Sequence, residues 1–72
     1  MARFIVSNNP QSNGDHEVHN VTTGCSYMPA PQSQVNLGEY ATCHGAVAYA
    51  KQRWSDKRIN GCYYCCTACH TS

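Results

Sequence analysis

Cys62-Tyr63-Tyr64-Cys65 places two thiols two residues apart, and that spacing lets one turn of backbone bring both sulfurs to about 2.3 Å from a single zinc ion. Cys66, Cys69 and His70 follow at once, so four of the six cysteines and one of the four histidines fall within the last eleven residues. Asn60-Gly61, just upstream, reads as a chain reversal that presents the pair at a loop tip, since both residues accept positive φ. A tetrahedral ion needs two more ligands. Cys25, at a bend after a predicted strand, is the preferred third, and His19 is favoured over His16 as the fourth because it lies nearer that bend. Zinc on His19, Cys25, Cys62 and Cys65 would tie the two halves of the chain together. Structural zinc contributes about 10–16 kcal/mol of apparent binding free energy, which becomes folding free energy.

Other chemistries compete for the same residue types. Cys66-Thr67-Ala68-Cys69-His70 has the form of a c-type haem attachment motif, but little chain follows it to cover a porphyrin, and a second ligand pair or free thiols is the plainer reading. Cys65 and Cys66 are adjacent, so their side chains diverge and only one of them is expected at an ion. Cys43-His44, at the start of a predicted helix, could furnish an activated thiolate. No Asp or Asn is evidently placed to orient His44, and Cys43 fits the apolar stripe as a small core residue. Lys51, Arg53, Lys57 and Arg58, with Trp54, Tyr63 and Tyr64 near them in sequence, could bind phosphates and stack bases. The preferred reading is a solvated helix end, its cations set against the negative end of the dipole and the aromatics sealing a small core. An even number of cysteines also keeps a disulfide-stapled or thiol-redox protein in view.

The scaffold that must position these groups is small. Seventy-two residues with one Phe and one Trp form one domain, 1–72, near the lower limit at which apolar burial alone sustains a fold. Chains of this size recruit metals, disulfides or partners. Arg3 to Ser7 is an apolar, β-branched run that predicts a first strand, closed by the turn-rich segment 8–14. Asp15 to Val21 predicts a second, with His16, Val18 and Asn20 on one face and Glu17, His19 and Val21 on the other, so the two histidines cannot both face one ion. Gln34 to Tyr40 alternates as a third, with Gly38 ending it or forming a bulge. Thr42 to Trp54 predicts the one helix: Cys43, Ala46, Val47, Ala50 and Trp54 recur at three- and four-residue steps, Thr42 can cap it, and Gly45 weakens its first turn. The expected fold is α+β, a two- to three-stranded antiparallel sheet with one helix and a cysteine-rich C-terminal turn, stabilised by metal.

In that order of elements the chain resembles the Ada-type metal-binding domains and their zinc-ribbon-like relatives. Phe4-Ile5-Val6-Ser7, His19, Cys25, the strand residues 35–40, the helix from Thr42 to Ala50 and Cys62-Tyr63-Tyr64-Cys65 follow the family's sequence of strand, His, Cys, strand, capped helix and Cys-x-x-Cys. The resemblance spans most of the chain and is one of order more than identity. It departs from the family in having five residues between His19 and Cys25, where about three are usual, and in carrying Cys66, Cys69 and His70, which have no counterpart. What it implies is a small zinc-stabilised module, of a kind often attached to DNA-processing proteins.

The net charge of +1 gives no electrostatic reason to expect nucleic acid or acidic membranes as partners. The N-terminal apolar run, Phe4 to Val6, is too short for a secretory leader and no later run could span a bilayer, which leads to the expectation of a cytoplasmic, reduced protein with metal-bound cysteines. On the same reasoning Asn20-Val21-Thr22 is a chance match to a glycosylation acceptor. The expected function is that of a non-enzymatic structural-zinc module, its partner unknown and either a protein or, less favoured, nucleic acid. The alternatives are a weak nucleic-acid-binding module acting through the basic helix end and a disulfide-stapled or thiol-redox protein.

Overall fold

The computed structural model describes residues 1–71. Its elements run β1 (Ala2–Ser7), β2 (Asp15–Asn20), a single 3-10 turn (Pro31–Ser33), β3 (Gln34–Tyr40), α1 (Cys43–Arg53), β4 (Arg58–Gly61) and a second 3-10 turn (Thr67–Cys69). The α+β class holds, with one helix among the described residues. The sheet is larger than expected, with four strands in the order β3-β1-β2-β4. It is also mixed, because β1 pairs antiparallel with both β2 and β3 whereas β4 runs parallel to β2. A parallel neighbour requires a crossover, and α1 supplies it between β3 and β4.

Composition explains the arrangement. Phe4, Ile5 and Val6 are all buried, as a central strand with both faces covered demands. Phe4 and Val6 join Val18, Leu37 and Ile59 beneath Ala46, Val47 and Ala50 of the helix, forming the core. Ile5, paired in register with His19, is buried outside that cluster, as expected for the opposite face of the sheet. Between β1 and β3 the register slips from Phe4↔Gly38 to Ile5↔Asn36, a β-bulge in which Gly38 adopts φ 100°. This is the bulge Gly38 suggested, since a residue with Cβ is strained at that φ.

The fourth strand corrects the reading of Asn60-Gly61 as a chain reversal. Both residues are buried in β4, and turn chemistry is overridden by tertiary partners. The Asn60 carboxamide donates to Asp15 Oδ2 at 3.3 Å and accepts from the backbone N–H groups of Gly61 and Thr71 at 2.9 and 3.0 Å. Gly61 is required for another reason: a Cβ there would lie 2.7 Å from Cys69 Cβ and 2.9 Å from the Cys66 carbonyl oxygen. Gly61→Ala is therefore expected to destabilise by about 1–3 kcal/mol, the usual cost of overpacking, by pushing the tail off β4. An unchanged denaturant midpoint would contradict that packing. Gly45, which costs helix propensity, is likewise held by its neighbour, since a Cβ there would stand 2.9 Å from the Tyr40 ring. Thr42 precedes the helix in extended conformation but makes no side-chain capping bond.

Candidate metal centre

β2 carries His19, one residue after the fully buried Val18, so alternation along the strand turns the imidazole away from the core while leaving it 1% exposed. Cys25 follows in the loop after β2. At the far end of the sequence, the Cys62 N–H donates to the Val18 carbonyl at 2.9 Å, prolonging the β2–β4 pairing by one residue before the chain turns. The turn is closed by the Cys66 N–H donating to the Cys62 carbonyl at 2.9 Å, and within it Cys65 comes back toward β2.

Four donor atoms meet there. The ligating atoms of His19, Cys25, Cys62 and Cys65 all lie within 4.8 Å of one another. Cys25 Sγ is 3.7 Å from Cys62 Sγ, and Cys65 Sγ is 3.5 Å from His19 Nδ1. Two backbone N–H groups point at the sulfurs, Tyr64 donating to Cys62 and Asn20 to Cys65, each at 3.4 Å. Such donors favour a thiolate over a thiol. The other ring nitrogen of His19, Nε2, faces Glu17 Oε1 at 3.9 Å. At that separation the carboxylate is an electrostatic neighbour of the imidazole and not a direct hydrogen-bond acceptor. Burial pushes the Glu17 carboxyl up, offset in part by the nearby His70 and reinforced by Asp15.

Exposed aromatic rings hold the two ligand loops against each other. Tyr27, two residues after Cys25, stacks on Tyr64 with ring centroids 4.2 Å apart and planes 21° from parallel. Tyr63 meets Tyr64 edge to face at 5.1 Å. The sequence suggested Tyr63 and Tyr64 as base-stacking groups, whereas Tyr64 is engaged within the chain. The two-residue spacing of Tyr27 from Cys25 carries no signal of this contact.

The remaining candidates fall elsewhere. His16, on the opposite face of β2, directs Nδ1 to the Ser7 carbonyl at 3.0 Å, in keeping with the face assignment that separated it from His19. Cys66 points into the core, 3% exposed, and burial pushes its thiol up to about 11. Cys43 and Cys69 form a disulfide between the start of α1 and the second 3-10 turn. This corrects the reading of Cys43 as a plain core residue, of Cys69 as a free thiol or second ligand, and of the chain as fully reduced. His70 directs Nδ1 to the Gly61 carbonyl at 3.0 Å and packs edge-on against Tyr63. The haem-like motif is thus dismantled by the fold, with one cysteine in the core, one in a disulfide and its histidine on the backbone. Of the basic residues, Arg58 pairs with Asp15 at 2.9 Å and Arg53 lies over the Trp54 ring at 5.6 Å. Lys51 and Lys57 open onto a cavity of about 420 Å³ that also holds Asp15 and Arg58.

Burial biases two of the four ligands, Cys62 and Cys65, toward the thiol. Burial raises the Cys62 and Cys65 thiols above their ordinary value of 9.0, although the backbone N–H donors pull the other way. Burial lowers His19 from 6.5, so the fold favours its neutral form. The stability this contributes is present above pH 6.5 and is lost as pH falls toward the lowered value. A divalent ion must therefore displace the thiol protons but none from His19 at neutral pH. Apparent zinc affinity is expected to rise with pH between 6.5 and 8, by up to about tenfold per unit for each thiol that gives up a proton. Competition with a chromophoric chelator measures it. An affinity independent of pH would exclude thiolate ligation.

Fold and site together define a small, cysteine-rich α+β domain with side-chain groups that could hold a metal ion. Among the described residues no helix is long and apolar enough to cross a membrane. Compared with protein-family models, with curated proteins and with solved structures, the chain finds no match.

Proposed function

We propose that this protein is a non-enzymatic module whose fold is held by one zinc ion on His19, Cys25, Cys62 and Cys65. The observation that carries the reading is the convergence of these four donors, from segments 37 residues apart in the case of Cys25 and Cys62, within 4.8 Å of one another. One imidazole and three thiolates form a donor set suited to zinc, and softer than calcium or magnesium accept. Four protein ligands fill a tetrahedral ion, leaving no position for a substrate or an activated water, which is why the role assigned to it is structural. His19 would bind through Nδ1, with Glu17 behind Nε2. The resemblance to Ada-type domains belongs to this proposal, as does a cytoplasmic location, in which the Cys43–Cys69 disulfide would be exposed to reduction.

The nucleic-acid alternative has less support. Asp15 pairs with Arg58 and lowers the net positive charge of the cluster, while Arg53 lies over the Trp54 ring. Any such binding is expected to be weak and lost at moderate salt.

Elemental analysis of protein purified without chelator tests the main reading. One zinc per chain, bound before any addition of metal, is expected. A chain that emerges metal-free and folded would contradict it.

A further inference from the structure

The Cys43–Cys69 disulfide has a histidine beside it. His44 is exposed on the first turn of α1, and its ring nitrogen lies within 4.8 Å of both sulfurs. His44 and Cys69 also line an open cavity of about 400 Å³, with Val47, Ala48 and Lys51, through which a solvated ion can reach Cys69 and His44. This group shares no donor with the centre on His19, Cys25, Cys62 and Cys65. We propose that Cys43, His44 and Cys69 form a second, redox-gated metal site, closed to metal as the disulfide and open to a zinc-like divalent ion as the dithiol.

The chemistry balances with a small dithiol as reductant. One of its thiolates attacks a sulfur of the Cys43–Cys69 bond, forming a mixed disulfide and releasing the other protein sulfur. The second thiol of the reductant then displaces the remaining protein sulfur. Two electrons pass to the protein, which gains two thiols, and the reductant leaves as its own disulfide. A divalent ion binds the pair, the two thiol protons are released to solvent, and neutral His44 donates a nitrogen lone pair. Three protein ligands leave the fourth tetrahedral position to water or a solute. The two states differ little in where they hold the chain, since the disulfide and the ion both join the start of α1 to the tail. Reduction would therefore exchange one cross-link for another.

Native mass spectrometry of the full chain tests this, because it resolves both the two hydrogens gained on reduction and the number of bound ions. One sample keeps the disulfide, the other is reduced with a phosphine under anaerobic conditions, and both are loaded with zinc and desalted. The reduced chain is expected to carry one zinc ion more than the oxidised chain. His44→Ala, at an exposed position that should not disturb folding, is expected to weaken the additional ion at least about tenfold while leaving the count in the oxidised chain unchanged. The double substitution Cys43→Ser and Cys69→Ser should carry the lower count under both conditions. Equal counts in the two states of the unsubstituted chain would overturn the proposal, as would an additional ion that survives the double substitution or is indifferent to His44→Ala. The comparison is independent of the first centre: if that centre is wrong, the oxidised chain carries no zinc and the difference between states still decides.

Discussion

Replacing Cys25, Cys62 or Cys65 by serine is expected to abolish stoichiometric zinc and, with it, most of the folded structure. The magnitude follows from the size of the domain. Its core contains one large aromatic, Phe4, and a few aliphatic residues, and net stabilities of about 5–15 kcal/mol are usual even for better-furnished domains. A zinc ion contributing about 10–16 kcal/mol is comparable to that whole margin. Losing one ligand should cost more than about 5 kcal/mol, enough to unfold the chain. His19→Ala should act in the same direction, whereas His16→Ala should leave zinc in place, because His16 directs its Nδ1 to the Ser7 carbonyl on the other face of β2. Far-UV circular dichroism and metal content read the two effects together. Native spectra with zinc lost would mean that the core suffices.

The second large effect belongs to the disulfide. Cys43 and Cys69 are 26 residues apart, and closing a loop of that length removes about 3.5 kcal/mol of chain entropy from the unfolded state. The double substitution Cys43→Ser and Cys69→Ser, with zinc retained, is expected to lower the thermal midpoint by about 15–25 °C relative to the disulfide-bonded chain. An unchanged midpoint would show that the cross-link adds nothing beyond what the zinc centre and the Asn60 network already hold. Cys66→Ser should be milder and should keep zinc, since it places a hydroxyl in the core without touching a ligand.

The candidate metal centre and the disulfide divide what could be read from the sequence from what could not. Phe4-Ile5-Val6 announced a strand by its apolar, β-branched character, and the helix announced itself by the period of Ala46, Val47 and Ala50. His19, Cys25, Cys62 and Cys65 could be grouped because Cys-x-x-Cys is a local signal and a bend after a strand is a natural place for its partner. The alternation of β2 then separated His16 from His19. β4 was illegible for a physical reason. Arg58-Ile59-Asn60-Gly61 has one apolar residue, and the turn propensity of its Asn-Gly pair is overcome by pairing with β2 and by the side-chain bonds of Asn60 to Asp15 and Thr71. The Cys43–Cys69 pairing was hidden in the same way. Cysteine connectivity is a property of the folded chain, and a cysteine on the apolar stripe of a helix looks like core until the tail is seen to pass it. Tyr27 and Tyr64 illustrate the point again, since their stacking joins loops that sequence distance keeps apart.

X-ray absorption at the zinc edge, on protein purified with its native metal and with the Cys43–Cys69 disulfide intact, tests the central claim most directly. The account predicts one ion with three sulfur neighbours at about 2.3 Å and one imidazole nitrogen at about 2.0–2.1 Å. A shell of oxygens and nitrogens without sulfur, or four sulfurs with no imidazole, would contradict it.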